Sequence, residues 1–360
     1  MSADAILLDD RAETREMLRD SAARLLGGEQ GPVHARRWRF QQPGFDRARW
    51  SLFCEMGWLA LAAPEEVGGA GLGASETCAL MEVLGRALAP EPLVGATMAV
   101  QLLRGDVLQE ALAGERIVLP AWQEGPQGLD FGGATRLHDG RITGSKLFIA
   151  QAAGADAFVV TTAEGAALVE ARASGVSLHL QDTHDGGQYG TLHLENAPAV
   201  PLSGDVAQAL DNAALAQAAY LQGVAASSLE ATLDYLRTRR QFGRAIGSFQ
   251  ALQHRAVDLH IQLALARASV AAAASMLATG ADETSAALAV SRAKARASEA
   301  ALRITREAIQ MHGAVGYTDE FDVGLYLRKA IVVAPQFGSA EAHRARFIAL
   351  SRAHGDRAHD

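Results

Sequence analysis

The feature that most constrains the fold is a change in the spacing of apolar residues, which occurs twice along the chain. Over residues 10–116 apolar residues recur every three or four positions, which predicts amphipathic helices. Residues 117–200 instead contain short Val-, Ile-, Leu- and Thr-rich runs separated by Gly, Asp and Asn, as in strands joined by turns. The helical spacing then returns and continues nearly to the end. Because strands do not alternate with helices, this order excludes a doubly wound parallel sheet.

This pattern predicts an α+β chain of three consecutive domains. An N-terminal α-helical domain is expected at residues 1–116, a middle β-domain with a small antiparallel sheet or barrel at 117–203, and a C-terminal four-helix bundle at 204–360. The last region contains alanine-rich segments, at residues 216–226, 264–278 and 286–301. Alanine permits close approach of helix backbones, which favours a tightly packed bundle.

Charge and composition limit the function. The 360 residues carry a formal net charge of -8, which is the wrong sign for a nucleic-acid binder. No run approaches the roughly 18 consecutive apolar residues of a membrane span, and the first residues lack a signal-peptide pattern, so a cytoplasmic protein with no membrane partner is expected. Cys54 and Cys78 lack metal-ligand or CxxC spacing, which predicts buried free thiols and no metal site.

A glycine-rich segment, PEEVGGAGLG at residues 64–73, superficially resembles a phosphate-binding loop. It has no preceding β-type run and no following GK[ST], and both belong to such loops. A structural turn is therefore the better interpretation.

Three motifs carry a family resemblance. The first is GWLALAAPEEVGGAGLG at residues 57–73, followed by EVLGRALAP at 82–90. The second and most specific is RRQFGRAIGSFQALQH at residues 239–254, and the third is QMHGAVGY at 310–317, with LYLRKA after it. In this order and separation they resemble the acyl-CoA dehydrogenases over almost the whole chain. The resemblance implies the acyl-CoA dehydrogenase fold and FAD as cofactor.

The resemblance also implies partners. These are an acyl-CoA thioester as substrate, a second acyl-CoA dehydrogenase chain in a homo- or hetero-oligomer (dimer or tetramer), and an electron-transfer flavoprotein. A place in fatty acid or steroid side-chain degradation is implied as well. The acyl group itself is not specified by any motif.

In this family an arginine equivalent to Arg239 holds the FAD of a neighbouring subunit, and a guanidinium fork suits a pyrophosphate. Phe242 would pack on the adenine or the flavin, and Gln250 would hydrogen-bond the cofactor. The alternative for Arg239 is a solvated charge on a helix that ends at Gly243, and for Phe242 it is a core aromatic at that helix end. The alternative for Gln250 is an exposed polar residue of a helix. The full set of cofactor contacts implied by the resemblance is Arg239, Gln241, Phe242, Phe249, Gln250, Gln310, Met311, Gly313, Ala314, Ser339, Glu341, Gln123, Phe148, Ile149 and Ala150.

The small residues of the QMHGAVGY motif would let a ligand approach the backbone. Gly313 and Gly316 could equally end the helix, and both interpretations can hold together. His312 is the tempting acid-base candidate, but a lone histidine is more often structural.

Acyl-CoA dehydrogenases need a carboxylate base opposite the flavin. Most carry it in a Y-E-G-T-like segment, and a gap-free comparison from Gln310 places Phe337 at that position. A minority carry it just before an arginine at the start of the first C-terminal helix, where this chain has Ala213 and Ala214. Asp211 is the nearest carboxylate, although a helix N-cap or first-turn acid is the favoured interpretation for it.

The middle region departs from the family as well. The loop that shapes the flavin edge reads AWQEGPQGLD at residues 121–130, where Gln123 and Glu124 could keep part of the role. In the segment that flanks the isoalloxazine, Phe148 could still cover the ring, but Ala150 lacks the usual hydroxyl, a loss of about 1 kcal/mol. Glu341 replaces a cofactor contact and is expected to turn outward or to bond the ribose, since an acid repels a pyrophosphate.

Three hypotheses follow. The favoured one is a base-lacking subunit of a heteromeric acyl-CoA dehydrogenase, whose partner chain supplies the glutamate. The second is a self-sufficient dehydrogenase with a base at a non-standard position. The third is a flavin-free structural or ligand-binding relative, which would require Arg239, Phe242 and Gln250 to be vestigial.

Overall fold

The computed structural model describes residues 3–27, 30–126, 128–131 and 133–357. The helices in these ranges are α1 (Ala3–Leu26), α2 (Gln30–Trp38), α3 (Arg47–Glu55), α4 (Ala74–Arg86), α5 (Leu93–Leu102), α6 (Gly105–Leu112), α7 (Val206–Thr238), α8 (Gln250–Ala278), α9 (Glu283–His312), α10 (Val323–Val333) and α11 (Ala340–Arg357). The strands are β1 (Val118–Ala121), β2 (Arg136–His138), β3 (Arg141–Ala150), β4 (Ala157–Thr162), β5 (Gly165–Glu170), β6 (Val176–Asp182), β7 (Gln188–Pro198), β8 (Val200–Leu202), β9 (Arg240–Gln241) and β10 (Arg244–Ala245). The predicted helical, β and helical order is confirmed.

The described residues divide into two compact units. One unit comprises those within residues 1–34, 74–89 and 214–360, and the other comprises those within 35–73 and 90–213. These units are built from separate segments of the chain, whereas the boundaries predicted at 116/117 and 203/204 divide it into consecutive domains. The predicted boundaries therefore stay predictions.

The second unit contains two four-stranded sheets. One has the order β2-β3-β7-β6 with every neighbouring pair antiparallel, and the other has the order β1-β4-β5-β8. In the latter, β1 and β4 are parallel, with Val118 opposite Ala157. This pair differs from the antiparallel sheet expected from the sequence. Residues 122–156 separate the two strands, which is enough chain for the crossover connection that a parallel pair requires.

In the first unit, α9 packs against α8, α10 and α11, and α4 packs against α1 and α8. Helices α4 and α7 cross in near backbone contact. A Cβ atom at Gly85 would lie 1.9 Å from Tyr220 O, and one at Gly223 would lie 2.0 Å from Glu82 O. Glycine at both positions therefore allows this crossing, in the way expected for small residues on facing helices.

The two cysteines are buried and free, which confirms the prediction of buried free thiols. Burial raises the pKa of both Cys54 and Cys78 to about 12. Neither is a thiolate at neutral pH, so neither has the reactivity of a nucleophilic or metal-binding cysteine.

Helix α8 has a large exposed apolar surface. Val257, Ile261 and Leu265, spaced by four residues and here called the α8 stripe, are 57%, 47% and 43% exposed. By length and composition α8 is the one helix in the described ranges that could cross a membrane. Within its most apolar stretch of 18 residues, 28% are buried. One helix of this kind is weak support for a membrane span, because helices that pack in soluble assemblies have the same composition.

Candidate functional site

The segment that follows α7 is a tight β-hairpin. Gln241 pairs with Arg244, so Phe242 and Gly243 form a two-residue turn. Their φ angles of 52° and 80° are both positive, as a type I′ turn requires. The Phe242 side chain is 89% exposed. Because α7 ends at Thr238, the alternative in which Phe242 is a core aromatic on a helix ending at Gly243 is wrong.

Aromatic and polar groups gather at the base of this hairpin. The Arg244 guanidinium lies 4.1 Å from the centroid of the Phe249 ring, and the Phe242 ring meets the same ring edge-on at 6.1 Å. Helix α8 begins at Gln250, and no described side chain caps its N-terminus at Phe249. Gln250 is exposed beside these rings. The hairpin thus presents aromatic faces, an amide and guanidinium groups to solvent.

Arg239 precedes this hairpin and borders a cavity of about 470 Å³. The same cavity is lined by Tyr235 of α7 and by His312 at the end of α9, among others. The Tyr235 ring stacks on the His312 ring with centroids 4.2 Å apart. The structure therefore brings the most specific predicted cofactor contact, Arg239, next to the QMHGAVGY motif.

The QMHGAVGY motif ends α9 as the capping interpretation expected. Gly313 has a φ of 68°, and its N–H donates back to carbonyls of the last turn. A Cβ at Gly313 would meet no atom within 4 Å, so the backbone conformation, and not lack of space, requires glycine there. Gln310, Gly313 and Ala314 are exposed, whereas Met311 is only 5% exposed. A ligand could therefore approach the motif at three of the four predicted positions.

His312 is buried and its ring is fixed. Nδ1 donates to Ala308 O at 2.8 Å, which leaves Nε2 as the unprotonated nitrogen, without a hydrogen-bond partner among the described residues. Burial lowers the pKa of His312, although the bond to Ala308 acts in the opposite direction. The ring is thus neutral at pH 7 and stacked against Tyr235, which fits a structural histidine.

Ser339 and Glu341 lie at the start of α11. Ser339 Oγ accepts from Ala342 N at 3.2 Å and so caps the helix. The Glu341 side chain is 80% exposed and lies 3.8 Å from Arg344. Hydrogen bonds from its own backbone N–H and from Ser339 lower the pKa of Glu341. The Glu341 side chain therefore points to solvent, and its bond to a ribose stays a prediction.

Phe337, which the sequence comparison with the family places at the most common base position, lies between α10 and α11. It is 7% exposed and has a φ of 54°, an unusual conformation for a bulky residue. The carbonyl oxygens around it are held by Lys294 and His343, two buried side chains. The segment is therefore well ordered but has no carboxylate at 337.

Asp211 does not have the position favoured for it by the sequence interpretation. Asp205 caps α7 by accepting from Gln208 N at 2.9 Å, and the first turn of the helix contains no acid. Asp211 lies one turn further along, so the N-cap and first-turn interpretations are wrong. The cause is Asp205, whose side chain caps the helix and so starts it at Val206. Ala213, at the second base position, is completely buried.

In the second unit, residues 148–150 lie at an irregularity of β3. The pairing of β3 with β7 shifts between Lys146 and Ile149, and Phe148 has a φ of 56°. Such a bulge re-aims a side chain, and Phe148 is 42% exposed with its ring 6.0 Å from that of Tyr189. Ile149 is buried at 3% exposure, and Ala150 is half-buried. Phe148 is thus the accessible member of the predicted trio.

Gln123 and Glu124 form the adjoining loop. Gln123 O accepts from Leu147 N at 2.7 Å, which ties the loop to the irregular part of β3. The Glu124 carboxylate accepts from Thr135 N, Thr135 Oγ1 and Lys146 Nζ at 3.0, 2.6 and 2.7 Å. Although burial acts to raise it, these bonds lower the pKa of Glu124 to about 2. Glu124 is therefore an ionised anchor of the loop and a poor proton acceptor.

Two buried lysines belong to no motif and were not identified from the sequence. Lys146 and Lys294 are both 0% exposed. Their positions in the apolar pattern could have revealed them. Lys146 follows the buried Ile142 by four residues on β3, and Lys294 follows the buried Val290 by four residues on α9. Each lysine thus stands where the pattern requires an inward-facing apolar residue.

Family comparisons agree with this geometry. Residues 12–105 match the profile described as "Acyl-CoA dehydrogenase, N-terminal domain", and residues 204–349 match "Acyl-CoA dehydrogenase, C-terminal domain". The chain is 34% identical over 330 residues to "Acyl-CoA dehydrogenase IpdE2" of Mycolicibacterium smegmatis, covering 89% of this chain and 93% of that protein.

Solved structures are also similar. A variant of the "Tcur3481-Tcur3483 steroid ACAD" has a TM-score of 0.86 and 27% identity, covering 97% of this chain and 99% of that one. The ChsE4-ChsE5 complex from Mycobacterium tuberculosis contains a chain with a TM-score of 0.81 and 30% identity, covering 93% of this chain and 96% of that one. The chain therefore belongs to the acyl-CoA dehydrogenase family.

Proposed function

We propose that this chain is an FAD-binding subunit of a heteromeric acyl-CoA dehydrogenase, which acts in α,β-dehydrogenation of an acyl-CoA thioester, and that it has no base of its own. The observation that carries the proposal is Phe337. A buried phenylalanine, which cannot accept a proton, stands where the family resemblance places the glutamate. The second position has no base either, because its residue, Ala213, has no ionisable group.

The residues at the hairpin and at the end of α9 fit FAD. Arg239 offers a planar guanidinium for the pyrophosphate, and Phe242 and Phe249 offer aromatic faces for a ring. Gln250 and Gln310, both exposed, can donate and accept hydrogen bonds at once. When bound, FAD supplies the hydride acceptor of the reaction. Because the Phe242 side chain is 89% exposed, we propose that the hairpin contacts a cofactor that is shared with another subunit.

The proposal that the partner is a related chain rests on the α8 stripe. An exposed row of Val257, Ile261 and Leu265 is typical of a surface that another helix covers. The related structure from Mycobacterium tuberculosis is a complex of two named chains, ChsE4 and ChsE5. We therefore favour a second acyl-CoA dehydrogenase chain as the occupant.

The names of similar proteins guide the choice of substrate and electron acceptor. One similar structure is titled a "steroid ACAD", and on this ground we propose a steroid-derived acyl-CoA thioester as the first substrate class to test. Another is titled "Electron transferring flavoprotein" of Acidaminococcus fermentans. We propose an electron-transfer flavoprotein as the redox partner.

The test is purification with and without a partner. The chain is expressed alone and together with a related chain that carries the family glutamate, and each preparation is examined for flavin absorbance and for oxidation of a panel of acyl-CoA thioesters. We expect FAD and turnover in the co-purified complex and no turnover by this chain alone. Full turnover by the isolated chain would instead support a non-standard base, and Asp211→Ala would then show whether Asp211 is that base.

A further inference from the structure

A fully buried lysine holds the segment between α10 and α11. Lys294, on α9, donates from Nζ to Ala334 O and to Gly338 O, both at 2.8 Å, and to Ser298 Oγ at 3.2 Å. The three hydrogens of the ammonium group are thus used, and each of these acceptors is a neutral oxygen. Two of the acceptors bracket residue 337.

A second buried side chain holds the carbonyl between them. His343, on α11, is 0% exposed and lies 2.8 Å from Phe337 O through Nε2. A carbonyl can only accept, so Nε2 carries the proton, and the bare Nδ1 faces Ser291 Oγ at 3.4 Å. Burial and the nearby Lys294 charge lower the pKa of His343 to about 3, so the ring is neutral at pH 7.

The backbone that these two residues hold is strained. Phe337 and Gly338 have φ angles of 54° and 99°, both in the left-handed region. A phenylalanine rarely adopts this conformation, and such strain persists only where the surroundings determine the conformation strongly. Burying an ammonium group without a carboxylate is itself unfavourable, as the lowered pKa of Lys294, about 7, reflects. Two unfavourable features therefore meet at one short segment.

We propose that Lys294 and His343 form a clamp that fixes the backbone of residues 334–339 and so positions the side chain at 337 and the cofactor contact Ser339. The clamp consists of three hydrogen bonds, from Lys294 to the carbonyls of Ala334 and Gly338 and from His343 to the carbonyl of Phe337. Its consequence for FAD rests on the proposed function, because only that function places the segment beside the cofactor. Lys294 and His343 are positioning residues, and they touch neither substrate nor cofactor.

The clamp is tested by hydrogen exchange of the full chain in complex with its partner. In Lys294→Met, backbone amides of residues 334–343 are expected to exchange about tenfold faster than in the wild type, since local opening no longer breaks two bonds. Ser298→Ala keeps both carbonyl bonds of Lys294 but removes the 3.3 Å bond from Ser298 Oγ to Ala334 O, so a smaller acceleration is expected for it. Ile304→Ala truncates a buried side chain on the same helix, and it controls for a general loss of stability.

His343 provides a second test should Lys294→Met fail to fold. His343→Asn removes the donor to Phe337 O and is expected to accelerate exchange in the same peptide. His343→Gln, whose Nε2 can take the place of the imidazole Nε2, is expected to restore the wild-type rate. Wild-type exchange in both Lys294→Met and His343→Asn overturns the clamp, as does equal acceleration of this peptide by Ile304→Ala.

The dissociation constant of FAD is the functional measurement. We expect an increase of about tenfold in Lys294→Met and a change of less than about twofold in the stability control Ile304→Ala. Unchanged FAD affinity in Lys294→Met would contradict positioning of the cofactor contact. A wild-type chain that takes up no FAD in any assembly would overturn the proposed function, and hydrogen exchange would still decide the clamp.

Discussion

Lys146 Nζ lies 2.7 Å from Glu124 Oε1, and the lysine side chain is completely shielded from solvent. The same ammonium group lies 3.2 Å from Thr161 Oγ1, so it links the loop after β1 to both β3 and β4. Through Glu124 the link extends to the backbone and hydroxyl of Thr135. One ion pair thus fixes both ends of the loop that contains Gln123.

Replacement of Lys146 tests this ion pair. Lys146→Met is expected to lower the free energy of unfolding by about 3 kcal/mol, because it leaves the Glu124 carboxylate without its cation. Chemical denaturation of Lys146→Met, Glu124→Gln and the double variant gives the coupling energy between the two side chains. The double variant should lose less free energy of unfolding than the two single variants lose in sum. Additive losses would contradict a direct interaction.

The buried Lys294 predicts an increase in stability with pH. Burial lowers its pKa from 10.5 to about 7, so between these values the unfolded chain binds more protons than the folded chain. The free energy of unfolding therefore rises with pH, by about 2 kcal/mol between pH 7 and 9 from this residue alone. Above pH 9 the buried Cys54 and Cys78 act in the opposite direction, because their pKa is raised in the folded chain from 9.0 to about 12.

The measurement is denaturant unfolding of the wild type and Lys294→Met at pH 7 and pH 9. Every other titrating group is common to the two proteins, so the difference between them isolates Lys294. A difference that does not change over this interval would show that the lysine keeps an ordinary pKa.

The crossing of α4 and α7 predicts a large effect of one methyl group. Gly85→Ala is expected to destabilise the protein by about 2 kcal/mol or more, because the new Cβ would lie 1.9 Å from Tyr220 O and the backbones would have to separate. Gly95→Ala is the matched control, since Gly95 also lies within a helix and its Cβ would approach no atom closer than 3.4 Å. Thermal unfolding should show a lower melting temperature for Gly85→Ala. The melting temperature of Gly95→Ala should be unchanged or higher.

The guanidinium of Arg239 is expected to hold the FAD pyrophosphate. Arg239→Lys keeps the charge but loses the planar fork, so the dissociation constant of FAD in the assembled protein should rise about tenfold. Arg237→Lys is the control, because Arg237 is exposed in the last turn of α7, two residues before Arg239, and pairs with Asp234 at 2.8 Å. Equal FAD affinity in both variants would remove Arg239 from the cofactor site.

The ordered segment around Phe337 can be used to add the missing base. Phe337→Glu in the FAD-loaded protein is expected to oxidise acyl-CoA thioesters at least about 100-fold faster than Phe337→Gln, which has a similar shape but cannot take a proton. The rate should fall at acid pH as the new carboxylate is protonated. Equal rates for the two variants would mean that position 337 does not face the reacting carbon.

The order of helices and strands could be predicted because it depends on local periodicity. Of four strand-like runs in the middle region, those at 141–149, 157–162 and 176–180 lie within β3, β4 and β6, and the run at 116–120 overlaps β1 in part. The parallel pairing of β1 with β4 could not be predicted, since it depends on how distant segments pack and not on the residues within either strand.

The site was predicted less completely, for two physical reasons. The hairpin was missed because its turn uses Phe242 at a positive φ, where turn-forming sequences usually have Asn, Asp or Gly. The clamp was missed because a lysine in a helical sequence is normally expected at the surface. Only its position on the buried face of α9 shows that Lys294 points inward. Its acceptors at 334 and 338 lie about 40 residues away in the sequence, as its bonds show.

The α8 stripe has a consequence for how the protein persists in a cell. A chain that exposes Val257, Ile261 and Leu265 gains stability whenever another chain covers them, so its melting temperature depends on concentration by mass action. In the proposed assembly, chain made in excess over its partner exposes this apolar surface to chaperones and proteases. The proposal therefore predicts that the abundance of this chain follows that of its partner.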